Sequence, residues 1–361
     1  MTQPNLKIKY WGVRGSVPSP ISDEQVLEKC VSLVMRLAKD GGTEKLFGSP
    51  IDEQQVLNYL KSLSPALRGT YGGDTSCVEI QAANSPLIIF DAGTGIRHFG
   101  KALFSRMFGK QNINPLSSNA DHARDLHLFF SHYHWDHLQG FPFFGPGFVS
   151  GPMKVNISFY GKRNTQQRLS EVLEGQQQCP NFPVDWEDMP CGKTFFELGR
   201  LEMEKVQLGD ALVTYCELTH PDAVFAYAVE VNGKKFVYAT DTEHKDSVDP
   251  RLVRLCKGAN ILYYDSQYTP EEYIGTPNTL TGPLTKFDWG HSTYEWAVKT
   301  ALTAGIQEVV LGHHEPLRDD FLLDDLLSRA CTFKENMLKL PEFRGGELKV
   351  SLAHQGMEQV L

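Results

Sequence analysis

At 361 residues, 41 % hydrophobic and 22 % charged, the chain has the composition of a globular protein, long enough for one large domain or two of ordinary size. Its 35 basic and 44 acidic residues leave a formal charge of −9. That argues against broad contact with extended nucleic acid, which draws on clustered Lys and Arg, but not against a small anion bound through metal ions. No secretory signal opens the chain, no apolar run is long enough to span a bilayer, and seven cysteines lack paired spacing, so a cytoplasmic protein with free thiols is expected.

In chain order, residues 6–11 read as a strand leading into the turn Gly12-Val13-Arg14-Gly15-Ser16. Over residues 22–38, Val26, Cys30, Leu33, Val34 and Leu37 recur on one helical face, behind a capping-box pattern of Ser22 and Gln25. A second helical stretch at 56–63 leads through Pro65 to Tyr71-Gly72-Gly73-Asp74. The two are expected as an insertion at about 21–69, a surface cap between adjacent strands. Short apolar runs at 86–90, 126–130, 236–239, 261–264 and 309–311 read as strands buried on both faces. Asn232-Gly233, between 224–231 and 235–239, signals a tight hairpin. Helices are expected over 293–304, capped by Ser292 and Glu295 and closed by Gly305, and from 319 to about 334. Sheets with helices on their outer faces, an α/β (α+β) fold in a single domain over 1–361, follow from this order.

Chemistry sits where these runs end. Asp91 follows Phe90, and Ser131-His132-Tyr133-His134-Trp135-Asp136-His137 follows Phe130. His220 comes just after Leu218, Asp241 after Ala239, Asp265 after Tyr264, and His313 and His314 after Leu311. Rigid strands commonly hold site-bearing loops in this way. A lone histidine after a strand is usually packed or superficial, but four ligand-type residues within six positions resist a structural explanation. His132 and His134, two apart in extended chain, project to one side and suit one ion; the following turn aims Asp136 and His137 at a second. Two ions about 3.5–4 Å apart need a bridging carboxylate, for which Asp241 is the natural residue. His220 completes the first shell, and His313 or its neighbour His314 the second. Imidazoles and carboxylates in this mixture suit zinc and tolerate manganese or iron. His98, His122, His127, His244 and His354 have no such context.

These residues resemble the metallo-β-lactamase superfamily, whose signature is the His-x-His-x-Asp-His run. The likeness extends over most of the chain, the helical insertion excepted, and implies a four-layer αββα sandwich with a dinuclear centre at one edge of its two sheets. Gly12-Val13-Arg14-Gly15-Ser16, Tyr71-Gly72-Gly73-Asp74-Thr75-Ser76, Asp91-Ala92-Gly93-Thr94-Gly95, Gly290-His291-Ser292-Thr293 and Leu311-Gly312-His313-His314-Glu315-Pro316 look closest to one branch. That branch includes cyclic-nucleotide phosphodiesterases and the ribonuclease that trims tRNA 3′ ends. The resemblance implies that His132, His134 and His220 bind one metal, Asp136, His137 and His313 the other, and that Asp241 bridges. It makes Asp91 the aspartate that orients a ligating histidine, His291 the proton donor to the leaving group, and Asp265 its orienting carboxylate. Helix capping, the alternative task for His291, falls to Ser292. Where the ribonuclease has His-Glu-Ala-Thr this chain reads Tyr264-Asp265-Ser266-Gln267, keeping the carboxylate and replacing the histidine.

The expected activity is phosphodiester hydrolysis, with Asp136 positioning or deprotonating the attacking water and His291 protonating the leaving alkoxide. The tRNA-trimming relatives carry a long RNA-gripping arm, in at least one subgroup between the third and fourth motifs. Here the Asn232-Gly233 hairpin fills that interval, which favours a small phosphodiester such as a cyclic nucleotide over a large RNA. Phe141 to Phe148 supply either an aromatic wall for a base or ordinary core and dimer contacts. Rival readings are a carboxylic-ester, lactone or thioester hydrolase, which has no need of His291, and an RNA-processing phosphodiesterase. A diiron redox enzyme is disfavoured because such relatives carry Glu where this chain has His134. A non-enzymatic sensor is disfavoured because no ligand is lost. Homodimers are common among the relatives.

Overall fold

The computed structural model describes residues 5–109, 112–163, 166–199 and 203–361. Its first sheet contains β1 (Leu6–Gly12), β2 (Cys77–Ala82), β3 (Leu87–Phe90), β4 (Asp125–Phe129), β5 (Asn156–Lys162) and β6 (Gly192–Leu198). The second runs through β7 (Glu204–Leu208), β8 (Ala211–Leu218), β9 (Val224–Val231), β10 (Lys234–Ala239), β11 (Ile261–Asp265), β12 (Glu308–Gly312) and β13 (Lys349–Leu352). The last strand, β14 (Glu358–Val360), returns to the first sheet, giving the orders β14-β1-β2-β3-β4-β5-β6 and β13-β12-β11-β10-β9-β8-β7.

Each sheet is antiparallel at one end and parallel at the other. β3 to β6 are parallel, as are β10 to β13. Between the sheets lies an aromatic core in which Phe90 stacks on Tyr227 at 5.2 Å and on Tyr238 at 5.3 Å. The outer faces are covered by helices. Between β1 and β2 come α1 (Asp23–Asp40), α2 (Gly42–Phe47), α3 (Glu53–Ser62) and α4 (Pro65–Arg68). Next are α5 (Ile96–Phe108) and α6 (Leu169–Gly175), which close a second core on the first sheet. α7 (Pro250–Cys256), α8 (Pro270–Ile274), α9 (Tyr294–Ala304) and α10 (Asp320–Met337) follow, and α7, α9 and α10 pack a third core on the second sheet. The layers are α, β, β, α. Among the described residues no helix is long and apolar enough to cross a membrane.

The Asn232-Gly233 turn joins β9 to β10 with φ of 50° and 72°, the mirror-image turn that suits strand twist. Four helices, rather than two, separate β1 from β2. α1 carries the expected Ser22–Gln25 capping box, but only Leu33 and Leu37 of its apolar stripe are half-buried. Val26 and Val34 are exposed, while Lys29 is buried and donates to the Ala66 and Gly69 carbonyls, each at 2.7 Å, and pairs with Asp320 at the start of α10. An ammonium that must be paired once buried sets the helix's rotation here, against the hydrophobic pattern.

The cap expected of Ser292 is also corrected. α9 starts one residue later with Thr293 as N-cap and no side-chain cap bond, and the Ser292 hydroxyl instead bonds His244 Nδ1 at 2.8 Å. Burial, helped by Lys299 and Lys245, pulls His244 down to about 3. Its protonation is thus disfavoured in the fold, so this group's contribution is present above about pH 6.5, the unfolded histidine value, and is lost as pH falls towards 3. Between pH 7 and 5 the wild type is expected to lose about 2 kcal/mol more than His244→Phe, measured by urea unfolding. Equal losses in the two proteins would refute the assignment.

Candidate active site

In-register parallel strands align the residues that follow them. Ala239, Tyr264 and Leu311 are register partners along β10, β11 and β12, so Asp241, Asp265 and His313 emerge at one level. Phe90 and Phe129 are partners on β3 and β4, which does the same for Asp91 and the segment from His132 to His137. Asp91, Asp241 and His313 all have left-handed backbones, with φ of 60°, 48° and 55°. Such conformations cost about 1–3 kcal/mol in non-glycine residues and gather at functional sites.

Among the described residues three groups of donor atoms result, each with all its donor atoms within 4.8 Å of one another: His132, His134 and His220; Asp136, His137, Asp241 and His313; and Asp241, Asp265, His291 and His313, the last two sharing Asp241 and His313. Asp241 joins them. Its Oδ2 is 3.7 Å from His132 Nε2, and its Oδ1 is 3.2 Å from both His137 Nε2 and His313 Nε2. Asp136 Oδ2 sits 3.2 Å from His137 Nε2 and 3.3 Å from His313 Nε2. On the other side, His220 Nε2 is 3.2 Å from His134 Nδ1.

Other groups orient these side chains. Asp91 Oδ2 accepts from His137 Nδ1 at 2.8 Å and from the Tyr238 and Ser131 hydroxyls, each at 2.8 Å, while Oδ1 accepts from the Ser131 N–H. His220 Nδ1 donates to the Gly290 carbonyl at 3.1 Å, and this approach requires a glycine, because a Cβ there would lie 1.9 Å from Nδ1. His291 Nδ1 donates to Asp265 Oδ2 at 2.9 Å, and Asp265 Oδ1 accepts from the Gln267 and Ser292 amides. Fixing one ring nitrogen of a histidine sets its tautomer and aims the other.

The electrostatics suit cations. Asp91, Asp136, Asp241 and Asp265 are buried, and among the described residues their ion pairs are all with histidines. Burial raises Asp136 and Asp241, but the neighbouring His137 and His313 outweigh it and hold both well below the carboxylate range. Burial likewise opposes charge on His137 and His313, yet the carboxylates push His137 up and His313 up to about 9. His132 and His220 go the other way, driven down chiefly by burial. Buried His132 Nε2 and His137 Nε2 have no hydrogen-bond partner. Unpartnered imidazole nitrogens aimed among buried carboxylates have the donor chemistry that divalent ions take, so the residues fit such a group.

All seven expected ligands come together here, and so do His291 and Asp265. His314 does not: the left-handed turn at His313 sends the next ring backwards, where Nε2 donates to the Ala353 carbonyl at 2.9 Å. Phe141 and Phe144 are core residues rather than a wall of the site. Sequence reasoning missed the Ser16 amide, which donates to Asp136 Oδ2 at 2.9 Å, and Asp222, 3.1 Å from His134 Nε2. A backbone donor has no residue-type signal, although Gly15 hints at the close approach: a Cβ there would lie 2.6 Å from the His313 ring. Beside the first group a cleft of about 950 Å3 is lined by His132, His134, Lys162, His220 and Asp222, within the usual range for small-ligand sites.

Residues 87–314 match the family model described as the beta-lactamase superfamily domain. A ribonuclease Z from Prochlorococcus marinus subsp. pastoris is 21 % identical over 308 residues, covering 72 % of this chain and 89 % of the relative. The metallo-beta-lactamase fold protein YhfI from Bacillus subtilis superposes with a TM-score of 0.54 at 16 % identity, covering 99 % of this chain and 100 % of that one. Unliganded yeast PDE1 gives 0.53 at 12 % identity, with coverage of 99 % and 100 %.

Proposed function

Since the chain belongs to the β-lactamase superfamily and is a metal-dependent hydrolase, we propose that it hydrolyses small phosphodiesters at a centre of two divalent ions, with zinc the preferred metal and manganese or iron tolerated. The observation that carries this reading is the His291–Asp265 pair, 2.9 Å apart, beside the two ligand groups. Hydrolysis of an alkyl phosphodiester needs a proton for its leaving alkoxide, whereas a thioester expels a thiolate that needs none. Similarity to ribonuclease Z, a name that denotes cleavage of RNA phosphodiesters, supports the same class. The tight β9–β10 hairpin between His220 and Asp241, and the net charge of −9, favour a small substrate such as a cyclic nucleotide over a folded RNA.

In this reading His132, His134 and His220 would hold one ion and Asp136, His137 and His313 the other, and Asp241 would serve both. When bound, the ions supply a lowered water pKa and positive charge against the phosphate oxygens. The protein's own groups do the rest. The Ser16 amide fixes Asp136, whose carboxylate orients the attacking water. Asp265 holds His291 through Nδ1, so that Nε2 carries the proton for the leaving oxygen, and the buried carboxylate stabilises the imidazolium.

The class is tested with metal-loaded protein on bis(p-nitrophenyl) phosphate beside a lactone and a thioester. Phosphodiester turnover that vanishes on chelation and returns with Zn²⁺ or Mn²⁺ is expected; turnover of the carbonyl substrates alone would overturn the reading. His291→Ala is expected to cost about 10²–10⁴-fold in kcat on an alkyl phosphodiester, and much less with p-nitrophenolate leaving, which needs no proton. Wild-type rates on the alkyl ester would remove His291 as the acid.

A further inference from the structure

The chain's five tryptophans divide sharply. Trp11 and Trp186 are buried, at 9 % and 7 % exposure, and Trp296 is stacked on His244 at 4.7 Å. Trp135 and Trp289 are 71 % and 49 % exposed. Both are chain neighbours of candidate-site residues. Trp135 lies between His134 and Asp136; Trp289 precedes Gly290, whose carbonyl holds His220, and is two residues from His291. An indole left in water forgoes its burial free energy, so placing two of them beside site residues points to a bound group that covers them.

Trp289 is also firmly held. The adjacent Asp288 N–H donates to Glu243 Oε1 at 2.8 Å, the Asp288 carboxylate pairs with Lys245, and buried Glu243 accepts the Tyr273 hydroxyl at 2.6 Å. The Lys286 ammonium, buried and bonded to the Leu284 carbonyl at 2.9 Å, lies 4.6 Å from the Trp289 ring centroid. A fixed cation therefore contacts the indole while about half of the residue remains open. Such a surface binds a flat ring with little ordering cost.

We propose that Trp289, together with Trp135, forms a stacking platform for the heterocyclic base of a nucleoside phosphodiester, so that the site selects nucleotide esters over alkyl phosphodiesters. This rests on the phosphodiesterase reading. Stacking suits these residues because every base has a π-face, and an indole needs no hydrogen-bond code to use it.

The test compares two substrates with one leaving group, thymidine 5′-(p-nitrophenyl phosphate) and methyl p-nitrophenyl phosphate, on the metal-loaded protein. The expected result is a kcat/KM preference for the thymidyl ester that falls by about 5–100-fold in Trp289→Ala and less in Trp135→Ala, with Trp289→Phe keeping most of it. Thymidine 5′-phosphate should also quench the wild-type indole fluorescence, and quench Trp289→Phe less. Turnover of the methyl ester with no thymidyl preference, or an equal loss on both substrates in Trp289→Ala, would overturn the platform and leave the phosphodiesterase reading standing. Turnover of neither ester by the wild type would overturn both.

Discussion

Asp241→Asn is expected to cut turnover of bis(p-nitrophenyl) phosphate by about 10³-fold or more and to lower the bound metal below two ions per chain. Its two carboxylate oxygens face different histidines: Oδ2 faces His132, and Oδ1 faces His137 and His313. An amide keeps the shape but loses the charge, and in the proposed role it could not serve two ions at once. The nearest carboxylates have tasks of their own: Asp136 faces His137 and His313, and Asp265 holds His291. Metal content and kcat, measured on the same sample, check this. A variant that holds two ions and turns over at the wild-type rate would show that Asp241 does not bridge.

Phe90→Ala is expected to destabilise the fold by about 3–5 kcal/mol in urea unfolding, the cost of a large aromatic removed from a rigid core. The ring is fully buried, stacked on Tyr227 and Tyr238 and edge-on to Phe129 at 6.0 Å, at the contact between the sheets. Phe90→Leu, which refills part of the space, should recover a good share. The effect reaches the site because Asp91 is the next residue and Tyr238 donates to it, so the variant should also weaken metal retention. An unfolding midpoint within about 0.5 kcal/mol of wild type would mean that the surrounding rings collapse into the hole.

Much of the centre is legible in the sequence because it obeys a local rule: an apolar run stops, and a ligand follows. Asp91, His132, Asp241, Asp265 and His313 can be read that way, and the Asn232-Gly233 turn is equally local. Only strand register turns the list into a site, and register is a property of chain segments far apart in sequence, as with Ala239, Tyr264 and Leu311. Periodicity also finds a helix without saying which face is covered. α1 rotates to satisfy Lys29, whose partner Asp320 lies near the other end of the chain, and no window around α1 contains that information. Ser292 misleads for a similar reason. Its hydroxyl is a plausible cap locally, but His244, from the other side of β11, claims it.

The way the chain returns on itself bears on how the protein is made. β13 belongs to the second sheet and β14 to the first, where Lys7 and Lys9 of β1 both reach Glu358 at 2.8 Å. At ordinary synthesis rates β1 leaves the ribosome on the order of tens of seconds before β14 arrives to pair with it. Until then it offers an unpaired edge strand to any other chain nearby. His313 is also late, so the group of donors that begins at His132 is incomplete until β12 has been made. Two late events thus finish the fold: β12 joining β11 completes the ligand set, and β14 joining β1 covers the edge of the first sheet.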